Sequence, residues 1–138
     1  MTAIDLGNNI KSSVVLAPAS RTAAANGTGV DTKDETWGVF VISQGAMHAT
    51  ETITYKIQDS ADNSAWADVN GLDGAAASFT GAANADDTIY LMRVECNRLR
   101  RYLRVVATPS GSNAQVFGVT WVSIPAYTGD AATPNVEA

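Results

Sequence analysis

The feature that most constrains this chain is a side-chain alternation with a period of two residues, which recurs in short segments separated by turn-forming residues. In the segment 52–58, Ile53, Tyr55 and Ile57 are apolar while the residues between them are polar. Because successive side chains of a β-strand point to opposite faces, this pattern predicts a half-buried strand. The same alternation predicts strands at 102–108 and 115–124.

Two further segments, 36–43 and 87–96, are apolar at both odd and even positions. Strands of this kind need cover on both faces, which a second sheet supplies on one side and a loop or a neighbouring subunit on the other. For the first of them we predict that Trp37 lies in the core. Phe40 and Ile42 are then our candidates for contact with a second subunit.

Weaker strand signals at 13–17 and 76–80 bring the number of short strands to about seven or eight, with the spacing of sandwiches and jelly rolls. We therefore predict an all-β fold, a jelly-roll-like β-sandwich with extended N- and C-terminal segments. The sandwich domain should span 13–124, between an N-terminal arm at 1–12 and a C-terminal tail at 125–138. Both end segments have too little apolar content to form a core.

Charge and composition limit the partners that this chain can have. Its formal net charge is −5, which argues against general affinity for nucleic acid, because that affinity comes mainly from cations that neutralise phosphates. No segment approaches the roughly 18 consecutive apolar residues of a membrane span, and no secretory signal opens the chain. We expect a soluble, unprocessed protein that binds neither nucleic acid nor membrane.

Titratable residues give no pattern typical of catalysis, so we predict no enzyme, no catalytic residue and no cofactor. The single histidine, His48, is expected at the surface, and the single cysteine, Cys96, is expected to be a small buried apolar residue rather than a nucleophile. Three carboxylates, Asp59, Asp62 and Asp68, could hold calcium. An Asx-rich turn explains the same residues better, so we predict no metal site.

Five of the nine basic residues fall within one short stretch of this acidic chain. They are Arg93, Arg98, Arg100, Arg101 and Arg104. A solvated strand rim is the commonest explanation for such a cluster. A subunit contact is the sharper one, because guanidinium groups bind carboxylates in a two-pronged manner and are enriched at interfaces. Binding to nucleic acid ranks third, because few aromatic residues accompany the arginines.

Two segments resemble small structural proteins of tailed phages. In 53–69 a strand ends in Gln-x-Ser and enters an Asp-rich turn, which is followed by an aromatic residue and Asp-Val; the second segment is 101–105, Arg-Tyr-Leu-Arg-Val. The resemblance extends over roughly 36–124. It identifies the chain as similar to the decoration (cement) proteins of tailed-phage heads, of the jelly-roll or β-sandwich type. That family implies a homotrimer on the outer capsid surface, without catalytic residues.

The resulting hypothesis is a structural virion protein, made in the host bacterial cytoplasm, that binds the outer surface of a phage capsid as a trimer. It would stabilise the shell by bridging subunits of the major capsid protein. The candidates for capsid contact lie in the N-terminal arm. They are Ile4, Leu6, Ile10 and Lys11, which lack a visible core partner in the sequence pattern.

Two other functions remain open at this point. The first is a carbohydrate-binding or host-attachment module, which would use exposed tryptophans; Trp66 and Tyr127 would have to be exposed and coplanar, whereas Trp121 is predicted to be a core residue. The second is a tail or head-completion structural protein, which differs from a decoration protein in its copy number on the particle.

Overall fold

The computed structural model describes residues 10–125, which form ten β-strands and one turn of 3-10 helix. The strands are β1 (Lys11–Arg21), β2 (Ala25–Asn26), β3 (Val30–Asp31), β4 (Glu35–Gln44), β5 (Ile53–Ser60), β6 (Ala67–Asp68), β7 (Ser78–Thr80), β8 (Thr88–Glu95), β9 (Tyr102–Pro109) and β10 (Gln115–Pro125). The 3-10 turn is Cys96–Arg98, between β8 and β9. No helix in the described part of the chain is long and apolar enough to cross a membrane.

The strands form two antiparallel sheets. The four-stranded sheet has the order β1-β10-β4-β8, and the six-stranded sheet has the order β2-β9-β5-β6, with β3 also paired to β9 and β7 to β5. Along the chain, the strands pass repeatedly from one sheet to the other, with β2–β3 and β5–β7 staying within the six-stranded sheet, and the first and last strands lie side by side. This is the wrapping of a jelly roll, and it confirms the predicted all-β sandwich.

The core lies between the two sheets, and it is lined by the alternating side chains of the long strands. On β5 the predicted set of Ile53, Tyr55 and Ile57 is buried, as are Leu103 and Val105 on β9. On β10 the predicted side chains of Phe117, Val119 and Trp121 are buried, as are the polar ones of Gln115 and Ser123. For these three strands the alternation in the sequence correctly predicted which side chains face inward.

The Trp121 ring occupies a slot formed by β4. Its centroid lies 4.6 Å from that of Phe40, and its edge covers Gly38, where an added Cβ atom would collide with the indole ring. A glycine is therefore required at position 38 for the strand to carry this ring. The close contact between β4 and β10 fixes which side of β4 faces the core.

The inward side of β4 is the opposite of the predicted one. Phe40 and Ile42 have no exposed surface and lie inside the sandwich, whereas Trp37 points outward with 52% of its surface exposed. The prediction that Phe40 and Ile42 contact a second subunit is therefore wrong, and so is the prediction that Trp37 lies in the core. Both sides of β4 are apolar, as predicted, but the side predicted to face the core faces outward, and the side predicted to face outward lies in the core.

Candidate functional site

The outer surface of the four-stranded sheet is covered by apolar side chains. We call this surface the apolar face. It consists of Val14, Trp37, Val39, Val41, Ile89, Leu91, Val122 and Ile124. Ile89 and Leu91 on β8 are 63% and 62% exposed, so no other described residue covers them. A contiguous exposed apolar surface on a small domain is typical of a site for protein binding.

Trp37 stands between two depressions at one end of the apolar face. A groove of about 310 Å³ lies on one side of its ring, where Ile10, Val122 and Ile124 contribute the walls. A smaller cleft of about 100 Å³ lies on the other side and includes the exposed Leu72. A half-exposed tryptophan beside such depressions has the character of an interface hot spot.

The outer surface of the six-stranded sheet is different, because its polar side chains bond to one another. Asp68 accepts hydrogen bonds from Lys56 Nζ at 3.0 Å and from Gln58 Nε2 at 2.7 Å. Arg104 donates to Gln58 Oε1 at 3.0 and 2.7 Å and lies 4.4 Å from the centroid of the Trp66 ring. The hydrogen bond from Gln58 and, to a smaller extent, that from Lys56 lower the pKa of Asp68. This polar, internally hydrogen-bonded surface is therefore stable in contact with water.

The three tryptophans do not form a platform for sugar binding in the part of the chain that the structure describes. Trp121 is buried, as predicted, and Trp37 stands on the apolar face. One side of the Trp66 ring is covered by the guanidinium group of Arg104. Tyr127, the proposed second half of a platform, lies outside the described residues. The observed geometry therefore adds no support to the carbohydrate-binding alternative.

The five arginines do not come together as one patch. Arg93 projects from β8 on the four-stranded sheet, whereas Arg104 projects from β9 on the six-stranded sheet. Arg93 and Arg98 do meet, since both line the small cleft beside Trp37. Only these two arginines of the predicted cluster therefore adjoin the apolar face.

Arg100 and Arg101 lie in the turn before β9 and are engaged within the chain. The backbone N–H of Arg100 donates to Asp59 Oδ2 at 3.0 Å. The Arg101 guanidinium binds the Asp31 carboxylate in a two-pronged manner at 2.9 and 2.7 Å. This hydrogen bonding lowers the pKa of Asp31 to about 2. Arg100, through its backbone N–H, and Arg101, through its side chain, therefore fasten the turn to neighbouring strands.

The predicted capsid-contact residues divide at the start of β1. Lys11 belongs to this strand rather than to an arm, because its Nζ lies 2.9 Å from Oε1 of the buried Glu35 and donates to the Asp31 carbonyl oxygen at 3.1 Å. Ile10 precedes the strand and lines the groove beside Trp37. Ile4 and Leu6 lie outside the described residues, as does the predicted tail from Ala126 onward.

The three carboxylates considered for calcium bind separate partners. Asp62 caps its own turn, because Oδ1 accepts hydrogen bonds from the backbone N–H groups of Ser64 and Ala65, each at 2.9 Å. These bonds lower the pKa of Asp62. Asp59 and Asp68 bond to other residues, as given above. The hydrogen bonds support an Asx-type turn, and residues 10–125 contain no cluster of histidine, cysteine and carboxylate side chains that could hold a metal ion.

The single cysteine and the single histidine lie in different environments. Cys96 is buried, as predicted, and burial followed by the nearby charge of Glu35 raises the pKa of its thiol to about 11. His48 is half-buried in the loop after β4, where its Nδ1 accepts a hydrogen bond from the Thr50 amide at 3.3 Å. Neither arrangement activates a nucleophile.

Comparison with known proteins connects this chain to others through the fold. No protein-family model and no curated protein sequence matches it. Among solved structures, the PBSX exported protein XepA has a TM-score of 0.56 and 18% sequence identity, and the match covers 100% of this chain and 44% of XepA. This chain therefore spans less than half the length of XepA.

Two other solved structures match over most of both chains. The SPBc2 prophage-derived protein YomS has a TM-score of 0.51 and 13% identity, with 84% of this chain and 93% of YomS covered. A chain of the Bacillus endospore appendages, described as disulfide-linked pili, has a TM-score of 0.50 and 12% identity, with 92% and 98% covered. At these identities the likeness shows a shared fold.

Proposed function

We propose that this chain is a non-enzymatic structural protein of a phage-related particle and that it acts by binding protein surfaces. The observation that carries the proposal is the contrast between the two outer surfaces of the sandwich. One surface is polar and internally hydrogen-bonded, while the apolar face leaves large side chains such as Leu91 in water. Such a surface is stabilised when another protein covers it.

The shared fold supports the association with phage particles and assemblies. YomS is prophage-derived, and the appendage chain comes from a pilus. Within this class we propose the role of a head decoration protein, which binds the outer capsid surface as a trimer and bridges subunits of the major capsid protein. Three linked weak contacts then hold far more tightly than one, because the second and third form at high effective concentration.

Attachment to the shell is assigned to the segment that precedes β1. The Lys11–Glu35 ion pair anchors the first residue of the strand, so an arm that binds the shell would begin at Ile10 and extend toward the N-terminus. Ile4 and Leu6 would then contact the capsid. Lys11 is removed from the set of contact residues by its bond to Glu35.

Phage heads that lack this protein provide the test. The purified full chain should co-sediment with them, and imaging should place it on the outer surface in a fixed copy number set by the capsid symmetry. Deletion of residues 2–9 leaves β1 and its ion pair intact, so this variant should fold but lose binding. Absence of binding by the full chain, or a location confined to the tail or the head–tail junction, would overturn the decoration role.

A further inference from the structure

We propose that the apolar face, together with the adjoining edge of β8, is the surface through which copies of this chain bind one another. The inference rests on the self-assembly that forms part of the proposed function, and it assigns that contact to a place. It also replaces the interface predicted from Phe40 and Ile42, whose side chains are inside the sandwich.

The composition of the apolar face is that of a permanent interface. Along Trp37–Ser43 of β4, Ile89–Glu95 of β8 and Val116–Ile124 of β10, the outward-facing charged side chains are Arg93 and Glu95. Interfaces between obligate partners are more apolar than those between proteins that are separately soluble. A capsid is available only after the shell is built, whereas a second copy is present as soon as the chain is made. A copy can therefore keep this surface covered at all times.

Three of the four edges of the two described sheets are poorly suited to pairing with another chain. On one edge of the four-stranded sheet, β1 contains Pro18 and two irregularities in its pairing with β10. The six-stranded sheet ends in strands of only two or three residues on either edge. All of these features prevent edge-to-edge pairing.

β8 is the exception among the described edge strands. It pairs with β4 at all eight residues without irregularity, and it contains neither proline nor lysine. Its other edge therefore presents a regular row of backbone groups to a neighbouring chain. The exposed Ile89 and Leu91 lie on this same strand, so the open edge and the apolar face form one continuous surface.

The size of the surface agrees with a contact that uses both parts. Four strands at a spacing of about 4.8 Å, with seven residues at about 3.3 Å each, give a face of roughly 20 by 20 Å. This area is about half of the roughly 800 Å² that one partner contributes to an interface of standard size. The edge of β8 and the larger groove beside Trp37, which Val122 and Ile124 line, would supply the remainder.

The charges at the border of the face favour another copy as the partner. Each chain carries a formal net charge of −5, so two copies repel each other at long range and need local attraction. Arg93 and Glu95 are two residues apart on the same side of β8 and have opposite charges. Because each copy presents both, the arginine of one copy can bind the glutamate of the next.

The test compares two identical substitutions at exposed leucines. Leu91→Lys places a charge in the proposed contact, and Leu72→Lys places it on a loop outside the apolar face, where the leucine is 76% exposed. The mass of each full chain is measured by light scattering and sedimentation across a range of concentrations. We expect oligomers of three chains for the wild type and for Leu72→Lys. For Leu91→Lys we expect a threefold lower mass and an unchanged circular dichroism spectrum.

A second substitution guards against a folding defect. Ile89→Lys lies on the same strand at a side chain of nearly equal exposure, so it should also reduce the mass. At high protein concentration, amide exchange in β8 should be faster in this variant than in the wild type. A wild type with the mass of one chain throughout, or variants at both positions that keep the wild-type mass, would overturn the inference. The head-binding assay is independent of this result: a monomer that binds heads would keep the role of a head decoration protein and would remove the trimer together with this contact.

Discussion

The indole Nε1 of Trp121 donates a hydrogen bond of 3.0 Å to Oε2 of Glu35, and both side chains are almost completely buried. The second carboxylate oxygen of Glu35 lies 2.9 Å from Nζ of Lys11. One carboxylate therefore connects the first strand, the fourth and the last at one end of the four-stranded sheet. This carboxylate therefore holds the start of β1 beside β10, the last strand of the sandwich.

Substitution of Glu35 should separate the hydrogen bond from the charge. Glu35→Leu leaves the buried indole N–H without an acceptor and should lower the free energy of unfolding by about 1–3 kcal/mol. Glu35→Gln keeps an acceptor oxygen for Trp121 and loses only the pairing with Lys11, so it should cost less. Chemical denaturation at a fixed protein concentration measures both values. Equal losses for the two variants would contradict the assigned role of the hydrogen bond.

The two tryptophans of the four-stranded sheet should respond differently to truncation. Trp121→Ala empties a fully buried slot and should cost about 3–5 kcal/mol. Trp37→Ala removes a half-exposed ring and should cost about 1 kcal/mol or less. The comparison is made by denaturation in the Leu91→Lys background, where the proposed contact between copies should be absent. A larger loss for Trp37→Ala would reverse the inward and outward sides that the structure gives to β4 and β10.

Stability should depend on pH through Asp31. The hydrogen bonds from Arg101 lower its pKa from 3.8 to about 2 in the folded chain. A lowered folded-state pKa means that the stabilisation is present above about pH 4 and is lost as the pH falls through about 2. The difference in unfolding free energy between the wild type and Asp31→Asn should therefore shrink toward zero in this window.

Asp73→Asn is the matched control for this measurement. Asp73 accepts a hydrogen bond from the Ala75 amide, which an asparagine can also accept, and no arginine binds it in the described structure. Its difference from the wild type should change little over the same pH range. A gap for Asp31→Asn that stays constant down to pH 2 would show that the Arg101 pairing does not favour the folded state.

Cys96 should be inert in the folded protein. Its thiol is buried and its pKa is raised to about 11, so little thiolate forms near neutral pH. A thiol-specific reagent at pH 8 should label the native chain far more slowly than the denatured chain, which supplies the reference rate for the same single cysteine. Labelling at similar rates would show that the thiol is accessible and would reopen a chemical role for it.

Much of the fold follows from local pattern. The alternation on β5, β9 and β10 predicts both the strands and their buried sides, because a strand with one polar side has only one arrangement that keeps that side in water. The Asp62 turn is also local, since its hydrogen bonds reach amides only two and three residues away. The two-residue strands β2, β3 and β6 left no signal of their own, because pairing with long neighbours defines them.

The candidate site was less accessible to such reasoning. Five arginines that are close in sequence were candidates for one subunit contact, but the chain crosses from one sheet to the other between Arg93 and Arg104 and separates these two onto opposite surfaces. For β8, the charge of Arg93 among apolar residues was a usable signal, because an unpaired charge favours the outer side. That signal places Ile89 and Leu91 outward as well.

The sequence by itself determined that this protein is a β-sandwich with apolar surface in excess of what its own core can hold, because hydropathy at a period of two is a property of each strand alone. It could not determine which side of β4 carries that excess, since Phe40 and Ile42 on one side and Trp37 on the other are equally apolar. The tertiary structure decided it. The large Trp121 ring on β10 needs the space above Gly38, and that space exists only on the side of β4 that carries Phe40.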